Sequence, residues 1–369
     1  MASTLSINEI HHHISNRLDE DAVAGKTVAG IIGDSPSRYS KSPSLWNAAF
    51  RHLGMNAIYL PFDVDDGQVG DLLGLLRDSE QFIGLNVTVP HKLRVMDFLD
   101  ELDPGAARIQ AVNTVVRSAN GKLTGYNTDG EGFVDSLLLP TPDHPQAFMP
   151  SLDGIDVLLL GAGGSARAVA FHVSDQIGQG KLIIANRTFA QAKSLAGEIT
   201  KLGRQAIAID EHSLSIWAPK VGLIVNTTTK GQGGVRKLLN GMATMLVPYS
   251  ALAPAQPPLL PESLGDGFER QWRAAARSSI EANNRSSETL AATIPDGTRF
   301  YDLIYHPEET VFLRHGRETG HQTMNGKNMI VCQAAIAFCR RICRQQLQAL
   351  GKDTPATQRE VAAAMFASW

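Results

Sequence analysis

The 369-residue sequence lacks an excess of basic residues, a long apolar run, and a basic leader followed by an apolar stretch. Lysine and arginine total 34, and aspartate and glutamate total 37, so the formal net charge is −3. Without a basic stripe we expect no nucleic-acid partner. Without a run of membrane-spanning length or a secretory leader, we expect no membrane segment and a cytoplasmic location.

Cysteine is also scarce, since Cys332, Cys339 and Cys343 are the only three. Their spacing places them on about one face of a predicted helix, and it lacks the paired pattern of a zinc framework. We therefore expect packing residues and no metal site. Three consecutive histidines, His11–His13, cannot all face one metal ion from a helix. We expect them on the surface of an exposed N-terminal extension, residues 1–27.

Length and composition favour two domains, because the chain exceeds the usual size of a single core and is 43% hydrophobic. Residues 28–138 alternate strand-like and helix-like runs, which predicts an α/β domain with a largely parallel sheet. A segment rich in proline, 139–150, is typical of a linker. Residues 152–320 begin with a strand, a glycine turn and a helix, so we predict a second, Rossmann-like domain there.

Three polar residues in the first predicted domain lie beside strand ends and turns. Lys92 follows the apolar, β-branched run GLNVTVP, which predicts a buried strand that ends at a turn. Asp129 lies in NTDG, where a left-handed bend at Gly130 would present the carboxylate at a loop tip. Asn113 supplies one acceptor and two donors without adding charge. Together these groups favour a site that binds a polyol and transfers a proton from a hydroxyl.

The second predicted domain carries a dinucleotide pattern. Residues 161–166, GAGGSA, follow a buried strand and precede a helix-forming run, with Gly161, Gly163 and Ala166 in the G-x-G-x-x-A positions. The helix N-terminus near Gly164 and Ser165 would offer N–H groups to a pyrophosphate. Ala162, within the same turn, belongs to the predicted cofactor-binding set.

The next predicted strand ends in Asn186, Arg187 and Thr188. An NAD-type site usually presents an acidic residue here, which would repel a 2′-phosphate. Arg187 can instead bind that phosphate with two hydrogen bonds, and Thr188 can donate from its hydroxyl. We therefore expect NADP as the cofactor.

In its motifs the chain resembles the shikimate dehydrogenase family. The segments NVTVPHK (86–92), AVNT (111–114) and GYNTDGEGF (125–133) follow the family's N-V-T-x-P-x-K, A-V-N-T and N-T-D-G order. The serines of SKSP, YDLIYHP (301–307) and NGKNMIVCQAAIAF (325–338) match further signatures of the family. The resemblance spans roughly residues 28–345.

This resemblance implies an oxidoreductase that converts shikimate reversibly to 3-dehydroshikimate with NADP, in the pathway to aromatic amino acids. Lys92 and Asp129 would be catalytic. Ser40 and Ser42 would bind the substrate carboxylate from an extended segment, with Tyr305 as a third donor. Contacts to the ring hydroxyls would come from Asn86, Thr88, Asn113 and Gln333. A returning helix, 327–349, would pack on the first domain, and the cofactor set would gain Asn226, Thr227, Thr228 and Gly326.

The chain also departs from the family pattern. Gln191 stands where strict NADP enzymes often carry a second arginine, so some use of NAD is conceivable. Thr229 replaces the proline of the N-A-T-P-x-G cofactor loop. An insertion at about 233–297 is compatible with a lid, an oligomer contact or a mobile excursion.

Two alternatives to the main reading stay open. One is a quinate/shikimate dehydrogenase that uses NAD or NADP, and the other is a homologue that binds metabolites without turnover. The oligomeric state is not predicted.

Overall fold

The computed structural model describes residues 5–238 and 240–369, and it divides into two compact units. The first unit contains the described residues up to Ala147 together with Met329–Trp369, and the second contains Phe148–Asn328. The division falls inside the proline-rich segment 139–150.

The described part of the first unit up to Ala147 alternates strands with helices. The strands are β1 (Thr27–Gly33), β2 (Ala57–Asp63), β3 (Phe82–Val87), β4 (Glu101–Leu102), β5 (Thr114–Arg117) and β6 (Leu123–Tyr126). The helices are α1 (Ile7–Ile10), α2 (Glu20–Val23), α3 (Pro36–Tyr39), α4 (Ser42–Leu53), α5 (Val69–Asp78), α6 (Pro104–Ile109) and α7 (Asp129–Leu138), with 3-10 turns at Asp66–Gln68 and Arg94–Phe98.

The six strands form one sheet in the order β2-β1-β3-β5-β6-β4. Pairings β1–β2, β1–β3 and β4–β6 are parallel, whereas β3–β5 and β5–β6 are antiparallel. The reversal at β5 brings its first residue, Thr114, opposite Asn86 near the end of β3 and Tyr126 at the end of β6. The segments after β3, before β5 and after β6 therefore meet at one edge of the sheet.

Both faces of this sheet are covered, which explains the apolar character of β1 on both sides. One face packs against α4, where Trp46 stacks on Tyr59 with ring centroids 4.7 Å apart. The other face packs against α5 and the N-terminal segment.

The N-terminal segment was expected to be exposed, and this expectation is wrong for its apolar residues. Leu5, Ile7, Ile10 and Val23 are buried in the core beside α5. Burying these side chains removes apolar area from water, which favours docking of the segment over exposure. His11–His13 remain partly or fully exposed.

The second unit also alternates strands with helices. Its strands are β7 (Val157–Leu160), β8 (Leu182–Ala185), β9 (Ala206–Ile209), β10 (Leu223–Asn226), β11 (Val235–Lys237), β12 (Met242–Met245), β13 (Leu260–Pro261), β14 (Arg299–Asp302) and β15 (Thr323–Met324). Its helices are α8 (Gly164–Gln176), α9 (Phe189–Lys201), α10 (Leu214–Trp217), α11 (Phe268–Ala291) and α12 (Val311–Glu318), with 3-10 turns at Glu211–Ser213, Ala218–Lys220 and Glu262–Gly267.

The main sheet of the second unit is parallel throughout, in the order β15-β14-β10-β7-β8-β9. The central strands β7, β8 and β10 are fully buried runs of four residues, as expected of a sheet with helices on both faces. The chain reverses direction along the sheet after β9, which creates a switch point beside β7, where ligands bind in open α/β sheets.

The extra segment between β10 and β14 has its own small core. Strands β11, β12 and β13 form an antiparallel sheet. Tyr249 and Trp272 pack edge to face within this core. The end of α11, at Leu290 and Ala291, packs into the core of the main sheet, so α11 serves as the crossover helix that a parallel connection from β10 to β14 needs.

The C-terminal part of the chain returns to the first unit as helices. These are α13 (Lys327–Ile336), a π-helical segment Ala337–Ile342, α14 (Arg344–Ala349) and α15 (Pro355–Ala367). The returning segment was expected to be one helix over 327–349, but its hydrogen-bond pattern changes at the π-helical turn. Burial raises the pKa of the Cys332 and Cys339 thiols to about 12, and Cys339 and Cys343 pack in the core shared with α4.

Candidate active site

The shared edge of the first sheet joins Lys92 and Asp129. Lys92 lies in the turn after β3, and its carbonyl accepts the N–H of Val112 at 2.9 Å, which holds the turn against the start of β5. Its Nζ lies 2.6 Å from Oδ2 of Asp129. The lysine side chain is 26% exposed and the aspartate 11% exposed, so the amine is the open end of the pair.

Asp129 is the first residue of α7 and does not lie at a loop tip, so the expected left-handed bend at Gly130 is wrong. The Asp129 N–H donates to Oδ1 of Asn127 at 3.1 Å. A helix N-terminus carries a positive partial charge, which stabilises an anionic side chain there. The helix thus provides a fixed carboxylate where the sequence pattern indicated only a turn.

Asn113 holds this carboxylate from the start of β5. Its Nδ2 donates to Oδ1 of Asp129 at 2.8 Å, and its Oδ1 accepts the N–H of Thr128 at 2.9 Å. Gln333 on α13 approaches the same amide, with its Oε1 3.4 Å from Asn113 Nδ2. This approach depends on Gly132, because a Cβ there would lie 2.5 Å from the backbone nitrogen of Gln333.

Asn86 lies one strand away and is bound by Tyr59, a residue that sequence reasoning missed. The Tyr59 hydroxyl donates to Oδ1 of Asn86 at 2.7 Å, and Asn86 Nδ2 donates to Thr114 Oγ1 at 3.1 Å. Burial raises the pKa of Tyr59, and a hydrogen bond with Ser42 partly offsets that shift. The phenol therefore stays protonated as a donor. The available signal was a tyrosine inside the apolar strand AIYLPF.

Ser40 and Ser42 were expected to project from an extended segment, and the local geometry differs. Ser40 is extended and follows α3, whereas Ser42 is the first residue of α4. Lys41 between them is helical, and Ser40 Oγ accepts the N–H of Ser42 at 3.1 Å. Pro43 favours this arrangement, since proline suits the first turn of a helix.

The other predicted substrate residues lie in different places. Thr88 follows β3, and its methyl group fills the space that a Cβ at Gly33 would need. Tyr305 belongs to the second unit, where burial raises the pKa of its hydroxyl and keeps it a donor. Gly326 is also in that unit and packs on the backbone of Leu303, which would lie 2.0 Å from an added Cβ.

The glycine turn of the second unit fits a pyrophosphate. Gly161 has φ +115°, and an added Cβ would lie 2.5 Å from Thr227 Oγ1. Gly163 caps α8 without any side-chain hydrogen bond, and the space around Gly163 and Gly164 is open. Ala166 is buried against the sheet. Gly163 and Gly164 thus leave no Cβ beside the first N–H groups of the 13-residue helix α8, where an anion would bind.

Gln191, which stands at the position of the second arginine of strict NADP enzymes, shapes the end of β8. Asn186 Nδ2 donates to Gln191 Oε1 at 2.9 Å and to the Thr188 carbonyl at 3.0 Å. Gln191 therefore holds the turn and adds no charge. Arg187 and Thr188 are exposed.

The loop after β10 is held by Asp302, which sequence reasoning also missed. Asn226 Nδ2 donates to Asp302 Oδ1 at 2.9 Å, and Asn226 Oδ1 accepts the N–H of Thr228 at 2.9 Å. Complete burial raises the pKa of the Asp302 carboxyl from 3.8 to about 7, although its hydrogen bonds oppose the shift. An acidic residue inside the apolar run YDLIY was the signal for this position.

Sequence comparisons identify the family. Residues 31–115 match the shikimate dehydrogenase substrate binding domain, and residues 145–231 match the shikimate / quinate 5-dehydrogenase domain. A shikimate dehydrogenase (NADP(+)) of Desulforamulus reducens is 35% identical over 322 residues, which covers 86% of this chain and 90% of that protein. One of Methanopyrus kandleri is 34% identical over 320 residues, which covers 85% and 90%. The chain belongs to the shikimate dehydrogenase family.

A solved structure supports the same assignment. The shikimate 5-dehydrogenase of Thermus thermophilus, in complex with NADP(H) and shikimate, has a TM-score of 0.62 and 26% identity to this chain. The match covers 92% of this chain and 99% of the Thermus protein. The two-domain α/β fold expected from the motifs is therefore confirmed.

Within the shikimate dehydrogenase pattern, the loop 226–231 departs by carrying Thr229 in place of proline. The extra segment contacts this loop from two positions. Arg236 donates to Thr229 Oγ1 at 2.9 Å, and the Gly231 N–H donates to the Leu246 carbonyl at 2.9 Å. Tertiary hydrogen bonds thus restrain the loop where a proline ring would otherwise restrict the backbone.

The described residues contain neither a metal-binding cluster nor a membrane-spanning helix. Over residues 5–238 and 240–369, no group of three or more histidine, cysteine, aspartate or glutamate side chains could hold a metal ion. Within the same ranges, every helix is too short or too polar to cross a membrane.

Proposed function

We propose that this protein is a shikimate dehydrogenase that oxidises shikimate reversibly to 3-dehydroshikimate with NADP. The observation that carries the proposal is the Lys92–Asp129 pair, with Nζ and Oδ2 2.6 Å apart. The family assignment supplies the substrate class. In this proposal, residues 28–138 with the returning segment 327–349 bind the substrate, and residues 152–320 bind the dinucleotide.

Substrate binding rests on neutral donors and acceptors. Ser40 and Ser42 bind the carboxylate, because neutral hydroxyl donors suit it without adding a second charge. The ring hydroxyls are bound by the polar side chains of the sheet edge and α13, namely Asn86, Thr88, Asn113 and Gln333. The Tyr59 hydroxyl and the Thr128 N–H orient Asn86 and Asn113, respectively.

Proton transfer belongs to Lys92 and Asp129. The hydroxyl that becomes a carbonyl gives its proton to this pair, and the reverse reaction returns it. The exposed Nζ of Lys92 faces the substrate, while Asp129 is held from behind by Asn113. When bound, NADP supplies the redox chemistry by accepting the hydride at the nicotinamide ring.

Dinucleotide binding rests on three loops of the second unit and on Gly326. Residues Gly161–Ala166 and the α8 N-terminus take the pyrophosphate. Arg187 and Thr188 take the 2′-phosphate, with Asn186 held in place by Gln191. The Asn226–Thr228 loop and Gly326 line the remainder of the site.

The test is a panel of initial rates with shikimate and quinate, each with NADP and NAD. We expect the highest kcat/KM for shikimate with NADP. A higher kcat/KM for quinate with NAD would overturn this preference in favour of a quinate dehydrogenase. Calorimetric binding of shikimate without reduction of either cofactor would instead identify a homologue that has lost turnover.

A further inference from the structure

The second unit contains another lysine–carboxylate pair, which the proposed chemistry does not use. Lys230 Nζ lies 2.7 Å from Glu211 Oε1, and both side chains are only 12% exposed. The same Nζ donates to the Ala253 carbonyl of the extra segment at 3.0 Å. A pair this buried interacts strongly, and removal of one partner leaves an uncompensated charge in a poorly solvated position.

This pair lies at the same edge of the parallel sheet as Arg187. Glu211 follows β9, Arg187 follows β8 and Lys230 follows β10, so the three residues share the carboxyl edge of the parallel sheet. Burial lowers the pKa of Lys230, Glu211 raises it, and the positive charge of Arg187 lowers it further. The guanidinium therefore interacts electrostatically with the pair.

The balance of charge among these three residues depends on Lys230. Arg187, Lys230 and Glu211 together carry a net charge of +1, whereas Arg187 and an unpaired Glu211 would sum to zero. Gln191 adds no charge at this end of the sheet. The neighbouring Asp210 accepts N–H groups of the 3-10 turn, at 2.8 Å from His212 and 3.0 Å from Ser213.

We propose that the Lys230–Glu211 pair is a specificity determinant that favours NADP over NAD by neutralising Glu211 beside Arg187. This inference rests on the proposed function, because it takes Arg187 as the ligand of the 2′-phosphate. Lys230 acts through the charge of Glu211 and is a positioning residue. It takes the place of a second arginine on α9 by cancelling a nearby negative charge.

The experiment measures the dissociation constants of NADP⁺ and NAD⁺ by calorimetry, without turnover. The proteins are the wild type, Lys230→Met, Glu211→Gln and the double variant. Lys201→Met, at the exposed end of α9, is the control for net charge. Melting temperatures of all five proteins are recorded alongside.

Opposite changes are expected for the two partners of the pair. Lys230→Met should weaken NADP⁺ binding by about tenfold or more and change NAD⁺ binding by less than about twofold, because only NADP⁺ carries the 2′-phosphate. Glu211→Gln should leave NADP⁺ binding unchanged or tighter. The double variant should return near the wild-type preference, and Lys201→Met should match the wild type.

Four outcomes would overturn the inference. Equal losses for both cofactors in Lys230→Met would assign the pair a purely structural role. A selective loss of NADP⁺ binding in Glu211→Gln would show that the charge of Glu211 does not disfavour NADP⁺. If Lys230→Met does not fold, the double variant replaces it in the test. A strong preference of the double variant for NAD⁺ would also overturn the inference. Wild-type protein that binds neither dinucleotide would overturn both the inference and the proposed function. The other outcomes would overturn the inference alone.

Discussion

Each unit contains an asparagine that joins a threonine N–H to an aspartate, and the two aspartates have different neighbours. In the first unit, Asn113 accepts from Thr128 and donates to Asp129, at 2.9 and 2.8 Å. The carboxylate of Asp129 also binds Lys92. This aspartate has a cationic partner that is partly open to solvent.

In the second unit, Asn226 accepts from Thr228 and donates to Asp302, both at 2.9 Å. The other groups that bond Asp302 are the Ile304 N–H and the Thr310 hydroxyl, and both are neutral. Burial without a cation raises the pKa of Asp302 to about 7. The same arrangement of amide and carboxyl groups therefore supports a charged pair in one unit and a buried carboxyl that holds a loop in the other.

The largest predicted effect is the loss of turnover when Lys92, the cationic partner of Asp129 in the first unit, is replaced. Lys92→Met should lower kcat by about 10²–10⁴-fold and change the KM for shikimate much less, because it removes the group that transfers the proton in the proposed function. Steady-state kinetics test this. Lys122→Met is the control, since Lys122 pairs with Glu101 on the surface and should retain wild-type rates. An unchanged kcat in Lys92→Met would remove Lys92 from the mechanism.

The second prediction concerns the pH dependence caused by Asp302. Its carboxyl has a pKa of about 7 in the fold and 3.8 when exposed. Between these values a rising pH deprotonates the unfolded chain first, so the contribution of Asp302 to the free energy of unfolding falls. Asp302→Asn removes this titration. Between pH 5 and pH 8 its free energy of unfolding should therefore rise by about 3 kcal/mol relative to that of the wild type.

Urea denaturation at pH 5 and pH 8 measures this difference. Asp296→Asn, at an exposed aspartate before β14, changes the net charge equally and should follow the wild type at both pH values. If Asp302→Asn shows the same pH dependence as the wild type, Asp302 does not titrate as described.

The smallest effect concerns the packing that brings Gln333 to Asn113. Gly132→Ala places a Cβ 2.5 Å from the Gln333 backbone nitrogen, so α7 and α13 must separate. We expect a loss of about 1–3 kcal/mol in stability and a higher KM for shikimate. Gly74→Ala is the matched control in helix α5, where the added Cβ meets open space. Equal melting temperatures for the two variants would contradict this account.

Local sequence patterns predicted much of the site, because motifs carry local geometry. The strand before Lys92, the glycine turn at Gly161 and the helix after it follow from apolar runs and glycine positions. The same patterns misassigned Asp129 to a loop tip, since NTDG suits both a turn and a helix start. The tyrosine in AIYLPF was a local signal, but its bond to Asn86 could not be found this way, because Asn86 is distant in sequence and on another strand.

The sequence by itself determined which chemical groups exist and which strands and turns carry them, since side-chain periodicity and glycine positions act over a few residues. Only the tertiary structure decided which groups meet. The antiparallel pairing of β5 brings Asn113 to one oxygen of Asp129 while Lys92 binds the other, and the folding of the second unit pairs Lys230 with Glu211. Strand order and burial depend on the packing of the whole unit, so a local pattern does not specify them.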